Sequence, residues 1–166
     1  MSNCSLGSLS GQLKYSRHLK KLHLNNNELA YLGMEDFANL ENLEELNLSY
    51  NKLIQLPPGI FESLPRLRRL FLDCNPLTSL PARMFQNNAR VVSFRLSGKA
   101  CSNKMMELSL TSRMFYSPQL KSIVVKNVKI DFIFPDWLEN CSGRKLIGDL
   151  FSSNQSVGYF PFILIL

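Results

Sequence analysis

Leucines and polar residues alternate along the first half of the chain in one order, and that order repeats with a step of 24 residues. Leu19, Leu22, Leu24, Asn27, Leu29, Leu32 and Phe37 return as Leu43, Leu46, Leu48, Asn51, Leu53, Leu56 and Phe61. They return again as Leu67, Leu70, Leu72, Asn75, Leu77, Leu80 and Phe85. A period of this size marks a solenoid, in which each unit buries its apolar face against its neighbours. In LKKLHL, LEELNL and LRRLFL the alternation has a period of two, the pattern of a half-buried strand. Each unit therefore reads as a strand, a turn, and an irregular or short helical return. The strands stack in parallel and the leucines point inward, each worth about 1.5–3 kcal/mol when buried. Asn27, Asn51 and Asn75 predict a structural ladder at the bend, because an amide offers both donors and an acceptor to turn backbone. Phe37, Phe61 and Phe85 predict a second column through the opposite, convex side.

The pattern loosens at both ends. Residues 1–18 fit a partial unit, with Asn3, Leu6, Leu9 and Leu13 in the order of Asn27, Leu29, Leu32 and Phe37. Residues 19–90 hold the three regular units. Residues 91–142 read as two irregular ones. Val91, Phe94 and Leu96 take the strand positions of the first; Lys99 stands at its asparagine position and Cys101 at a leucine position. Leu120, Ile123 and Val125 begin the second, with Val128 in place of asparagine, which makes the fourth unit 29 residues long. A lower-ranked parse makes MELSL, residues 106–110, a strand of its own. Residues 143–166 lose the register and read as a degenerate repeat, a cap or a tail foreign to the fold. Stability is expected to concentrate in residues 19–85, and removal of 143–166 to be tolerated.

The pattern LxxLxLxxNxL resembles the leucine-rich repeat. The unit tail LPxxxF, as in LPPGIF and LPARMF, resembles the 24-residue "typical" subfamily of extracellular proteins. The resemblance covers about residues 3–141. It implies an α/β solenoid, curved, with a parallel β-sheet on the concave face and an irregular or short helical convex side. Within the family the chain is similar to ectodomains of Toll-type receptors, Slit-like guidance proteins and small proteoglycans. That implies a non-catalytic recognition module, a fragment of an extracellular or cell-surface receptor of innate immunity or other signalling, or of a secreted recognition protein. The implied partner is a protein ligand or co-receptor, with dimer formation among the arrangements open to it. Nucleic acid is not expected, and a membrane is reached only through a segment absent from this chain. Two alternatives stand beside this reading. One is an intracellular, cytoplasmic leucine-rich repeat adaptor. The other is a proteoglycan-like matrix module that binds collagen or polyanions through Arg66, Arg68 and Arg69.

Strand alternation turns the residues between the leucines outward, in columns across the repeats. Lys21, Glu45, Arg69 and Ser93 form one column; His23, Asn47, Phe71 and Arg95 a second; Asn25, Ser49, Asp73 and Ser97 a third. Lys21, His23, Glu45, Asn47, Arg69, Phe71, Asp73 and Arg95 are the candidate ligand-binding residues, with Phe71 among charges as the centre of a small hot spot. The bland alternative is that they are solvated strand positions.

Composition changes this picture little. Of the 166 residues 45% are hydrophobic and 19% charged, and the net charge is +6, a modest basic bias without a long like-charge block. The short clusters Arg17/Lys20/Lys21 and Arg66/Arg68/Arg69 read as solvated surface. Sequons place candidate glycans on Asn3, Asn47, Asn140 and Asn154, and one on Asn47 would cover part of the concave patch. Cys101 and Cys141 align with core leucines and read either as free core cysteines or as a disulfide pair; Cys4 and Cys74 are placed outside the core. The two histidines, His18 and His23, have no catalytic spacing, and no phosphate-cradling loop, HExxH or CxxC occurs. The chain is read as no enzyme, with no metal and no cofactor. Its first residues lack a basic stretch followed by an apolar run, and YFPFILIL is too short to span a membrane.

Overall fold

The computed structural model describes residues 2–97, and beyond them the backbone of four strands only. The strands are β1 Lys21–His23, β2 Glu45–Asn47, β3 Arg69–Phe71, β4 Ser93–Ser97, β5 Met106–Leu108, β6 Ser122–Ile130, β7 Lys145–Ile147 and β8 Phe160–Ile165. β1 to β4 pair in parallel, and the register follows the repeat: Leu22 opposes Leu46, Leu46 opposes Leu70, and Leu70 opposes Phe94. β4 pairs with β6 in parallel, Phe94 opposite Ile123 and Leu96 opposite Val125. The fold is a curved leucine-rich solenoid with one open sheet.

The core is the inward leucine set. Leu24, Leu29, Leu32, Leu46, Leu48, Leu53, Leu70 and Leu72 are all closed to solvent, as are Phe37, Phe61, Phe85 and Phe94. Phe37 and Phe61 stack with ring centroids 6.4 Å apart. Phe85 meets Phe94 edge to face at 5.5 Å. The third ring of the convex column thus packs against the first aromatic of the next strand. Among the described residues the convex side carries one short helical turn, a 3-10 helix over Met34–Phe37. The rest of that side is turns.

Two backbone devices set the bend after each strand. Asn26, Tyr50 and Cys74 sit at the same repeat position with φ of 55°, 57° and 57°. This left-handed step turns the chain off the sheet, and asparagine tolerates it better than the other two. The next residue is the ladder asparagine. Asn51 donates from Nδ2 to the carbonyls of Leu24 and Leu48, both at 2.9 Å, and accepts the Leu29 N–H at 3.1 Å. Asn75 repeats this one unit on, with the carbonyls of Leu48 and Leu72 and the N–H of Leu53. One buried amide therefore satisfies backbone of its own and the preceding repeat.

The partial unit closes onto the first full one by the same chemistry. Asn27 Oδ1 accepts the N–H groups of Cys4 at 2.9 Å and Leu6 at 3.1 Å. Buried Asp36 accepts from Gly33 N–H within its own turn and from Gly11 N–H in the partial unit. Leu9 and Leu13 are buried. Asn3 is exposed and starts no ladder of its own.

Beyond β4 the backbone departs from a plain repeat. Residues 106–108 are a strand, β5, that pairs with the far end of β6, Met106 opposite Val128, off the path of the sheet. The lower-ranked parse places a strand here, but β5 does not come between β4 and β6 as a repeat of its own. β6 runs on as nine residues through Val128, where a repeat would have turned. β8 then lies antiparallel to β6 and to β7, giving the order β1-β2-β3-β4-β6-β8-β7. No helix among the described residues is long and apolar enough to cross a membrane.

Candidate functional site on the concave face

The concave side chains stand on β1 to β4, held in columns by the parallel register. Lys21, Glu45, Arg69 and Ser93 follow one another across the sheet, and His23, Asn47, Phe71 and Arg95 run beside them. Register alone brings these eight positions together. Their pairing gives the site its shape.

Glu45 is the hub of the first column. Its side chain is 14% exposed. His23 Nε2 donates to its Oε1 at 2.7 Å, and Arg69 Nε donates to its Oε2 at 2.7 Å. Burial by itself would raise the Glu45 pKa, but the hydrogen bonds from His23 and Arg69 outweigh that and hold the carboxyl below its ordinary value. Arg69 therefore leans onto the concave face instead of joining Arg66 and Arg68.

Phe71 is the centre of the second group. It is half-buried, and the Arg95 guanidinium carbon lies 5.7 Å from its ring centroid. Arg95 Nε also lies 3.4 Å from Asp73 Oδ2, a carboxylate only 10% exposed. The arginine is thus held on two sides, by a ring face and an anion. Asp73 and Ser49 are buried instead of open to a ligand. Lys21 is exposed and makes no ion pair among the described residues. Asn47 is half-buried, and its Oδ1 accepts the Ser49 N–H at 3.0 Å.

The other sequence-based candidates fall elsewhere. Cys74 is buried, not outside the core: its Sγ lies 4.0 Å from Ser97 Oγ on the next strand, whereas Asn26 and Tyr50, at the same position with the same left-handed step, are exposed. Cys4 is exposed, and both are free thiols. Cys101, Cys141, Asn140 and Asn154 lie outside the described residues. Among the described residues no cluster of His, Cys, Asp and Glu could hold a metal ion. Asn88 is a buried polar residue that the leucine pattern does not single out. It takes the core position of Leu40 and Leu64 and donates from Nδ2 to the carbonyls of Phe61 and Leu64, each at 2.8 Å. The break in the leucine column at 88 was the signal.

Residues 17–77 match the family model for the leucine rich repeat. The repeats within this stretch are thus leucine-rich repeats. The solved TLR13–ssRNA13 complex contains a chain that superposes on this one with a TM-score of 0.64 and 25% identity, over 75% of this chain and 17% of that one. The Toll chain of the Toll–Spatzle complex from Drosophila gives 0.59 and 23%, over 74% and 19%. Human 5T4 gives 0.53 and 24%, over 78% and 58%. The leucine-rich repeats are thus similar to those of Toll-type proteins, of which this chain spans under a fifth of the length, and of 5T4, of which it spans just over half. No curated protein matches the sequence.

Proposed function

We propose that this chain is part of an extracellular or cell-surface leucine-rich repeat receptor, similar to Toll-type ectodomains, and binds a protein ligand through Arg69, Phe71 and Arg95. The carrying observation is the pairing around Phe71. An aromatic ring on an otherwise polar sheet is flanked by two arginines whose orientation is already set by Glu45 and Asp73. Tyrosine, tryptophan and arginine dominate binding hot spots, and a held side chain loses less entropy when it is covered. His23, Lys21 and Asn47 form the rim. The similarity to Toll-type chains supports the receptor reading. One of those chains is in complex with single-stranded RNA and another with a protein, so the partner class is decided by experiment.

Arrayed extracellular proteins, probed individually with the chain, supply the ligand for the test. Phe71→Ala with Arg95→Ala should weaken the strongest hit at least tenfold, about 1.4 kcal/mol or more. Unchanged affinity with unchanged thermal unfolding would remove the patch. Displacement by a single-stranded RNA oligonucleotide would move the assignment to nucleic acid. Asn47 stands opposite Phe71 in the sheet register. Full glycan occupancy at Asn47, read by mass spectrometry, would therefore place the ligand on another face.

A further inference from the structure

Both arginines of the concave face are ion-paired, so the unpaired arginines of the described repeats lie elsewhere. Arg69 and Arg95 are neutralised by Glu45 and Asp73. Arg66, Arg68 and Arg90 are exposed, and no ion pair involves any of them among the described residues. They lie on the flank where the chain climbs from the convex side into the sheet. Arg66 and Arg90 occupy the same repeat position in successive units, about 5 Å apart at the level of the sheet. Arg68 is two residues along, and its carbonyl accepts the N–H groups of Val92 and Ser93. The backbone therefore sets the three arginines at neighbouring positions of one repeat lattice.

Arg66 is also oriented. It donates to Asn42 Oδ1 at 2.7 Å, and Asn42 Nδ2 in turn donates to the Arg17 carbonyl at 2.8 Å. The acids on this flank, Glu41 and Glu44, come before Arg66 in the chain, and neither forms an ion pair with the arginines among the described residues.

We infer that Arg66, Arg68 and Arg90 form a second binding surface, separate from the Phe71 patch, for a sulfated glycan chain. Closely spaced guanidinium forks match sulfate oxygens by charge-assisted hydrogen bonds. Single-stranded nucleic acid would call for aromatic side chains on which bases stack. The exposed large aromatics among the described residues are Tyr15, Tyr31 and Tyr50, and none lies in the unit that carries Arg68 and Arg90. The surface rests on its own residues and stands whether or not the concave face binds protein.

The test uses the full chain and a heparin oligosaccharide, with affinity measured across a salt series. The triple variant Arg66→Ala, Arg68→Ala, Arg90→Ala should bind at least tenfold more weakly. Its slope of log affinity against log salt should flatten by about two to three, the release expected for three lost contacts. A charge-matched triple at Lys14, Lys52 and Arg83, all exposed and off this flank, should stay within about twofold of the parent. The unfolding midpoint of each variant controls for structure, and Arg90→Gln alone should lower affinity severalfold if the triple is destabilised. Equal losses in the two triples would mean diffuse charge and overturn the site. So would tighter binding of a poly-uridine RNA of equal charge than of heparin.

Discussion

At the scale of single residues, two polar groups hold this solenoid in different ways. The ladder asparagines are buried and make every bond their amide can reach. Asn51→Ala would leave the Leu29 N–H without its acceptor, at a cost of about 1–3 kcal/mol, while the Leu24 and Leu48 carbonyls keep the amides of Asn27 and Asn75. Chemical unfolding should show a loss of about 1–3 kcal/mol. Asn27→Ala should cost less, because its acceptor bonds run to the part-exposed start of the chain, where water can replace them. Glu45 is the other case. Its folded carboxyl is held below its ordinary pKa by His23 and Arg69 against the opposing effect of burial. A lowered folded pKa adds stability above the unfolded carboxylate range, and this is lost as pH falls through the folded value. Glu45→Gln should therefore flatten the acid limb of stability measured below about pH 5. At neutral pH it should lower stability by about 1 kcal/mol. A midpoint with the same acid dependence in parent and variant would sink that account.

At the scale of the element, each strand is only three to five residues long in the described repeats, too short to persist alone. Its stability comes from the leucines that turn inward and from its neighbours on both sides. Leu48 shows this: it is closed to solvent, and its carbonyl accepts from both Asn51 and Asn75. Leu48→Asp would bury an unpaired carboxylate among leucines. Loss of cooperative unfolding by circular dichroism is the expected result, and a folded variant would show that the units can part there. The strands were legible from leucine alternation, since only one register keeps every leucine on the core side. The place of β5 beside the sheet and the length of β6 were not. MELSL carries the alternation of a strand, but the 29-residue step from Phe94 to Ile123 gave it no place in a one-strand-per-repeat plan.

At the scale of the whole molecule, stability adds up unit by unit and interface by interface. β8 covers β6 in antiparallel pairing, where the repeats pair in parallel. Removing residues 143–166 would take away β7 and β8 and open the nine-residue edge of β6. The unit over residues 19–85 should keep its unfolding midpoint, while light scattering rises because an uncovered strand edge pairs between chains. A midpoint that falls with the truncation would show that the last strands cap the entire solenoid. The sequence by itself determined the period, the inward leucines, the ladder and the columns of the concave face, because a 24-residue step maps equivalent residues onto one another without reference to distance. Tertiary structure decided which charges meet. Arg69 and Arg66 are three residues apart and look alike in the chain, yet one turns to Glu45 across the sheet and the other to Asn42 on the flank. Cys74 and Asp73 are buried for the same reason: Tyr50 has the same left-handed turn as Cys74 and is exposed, so burial after the strand is set by the neighbours at each position and not by the repeat.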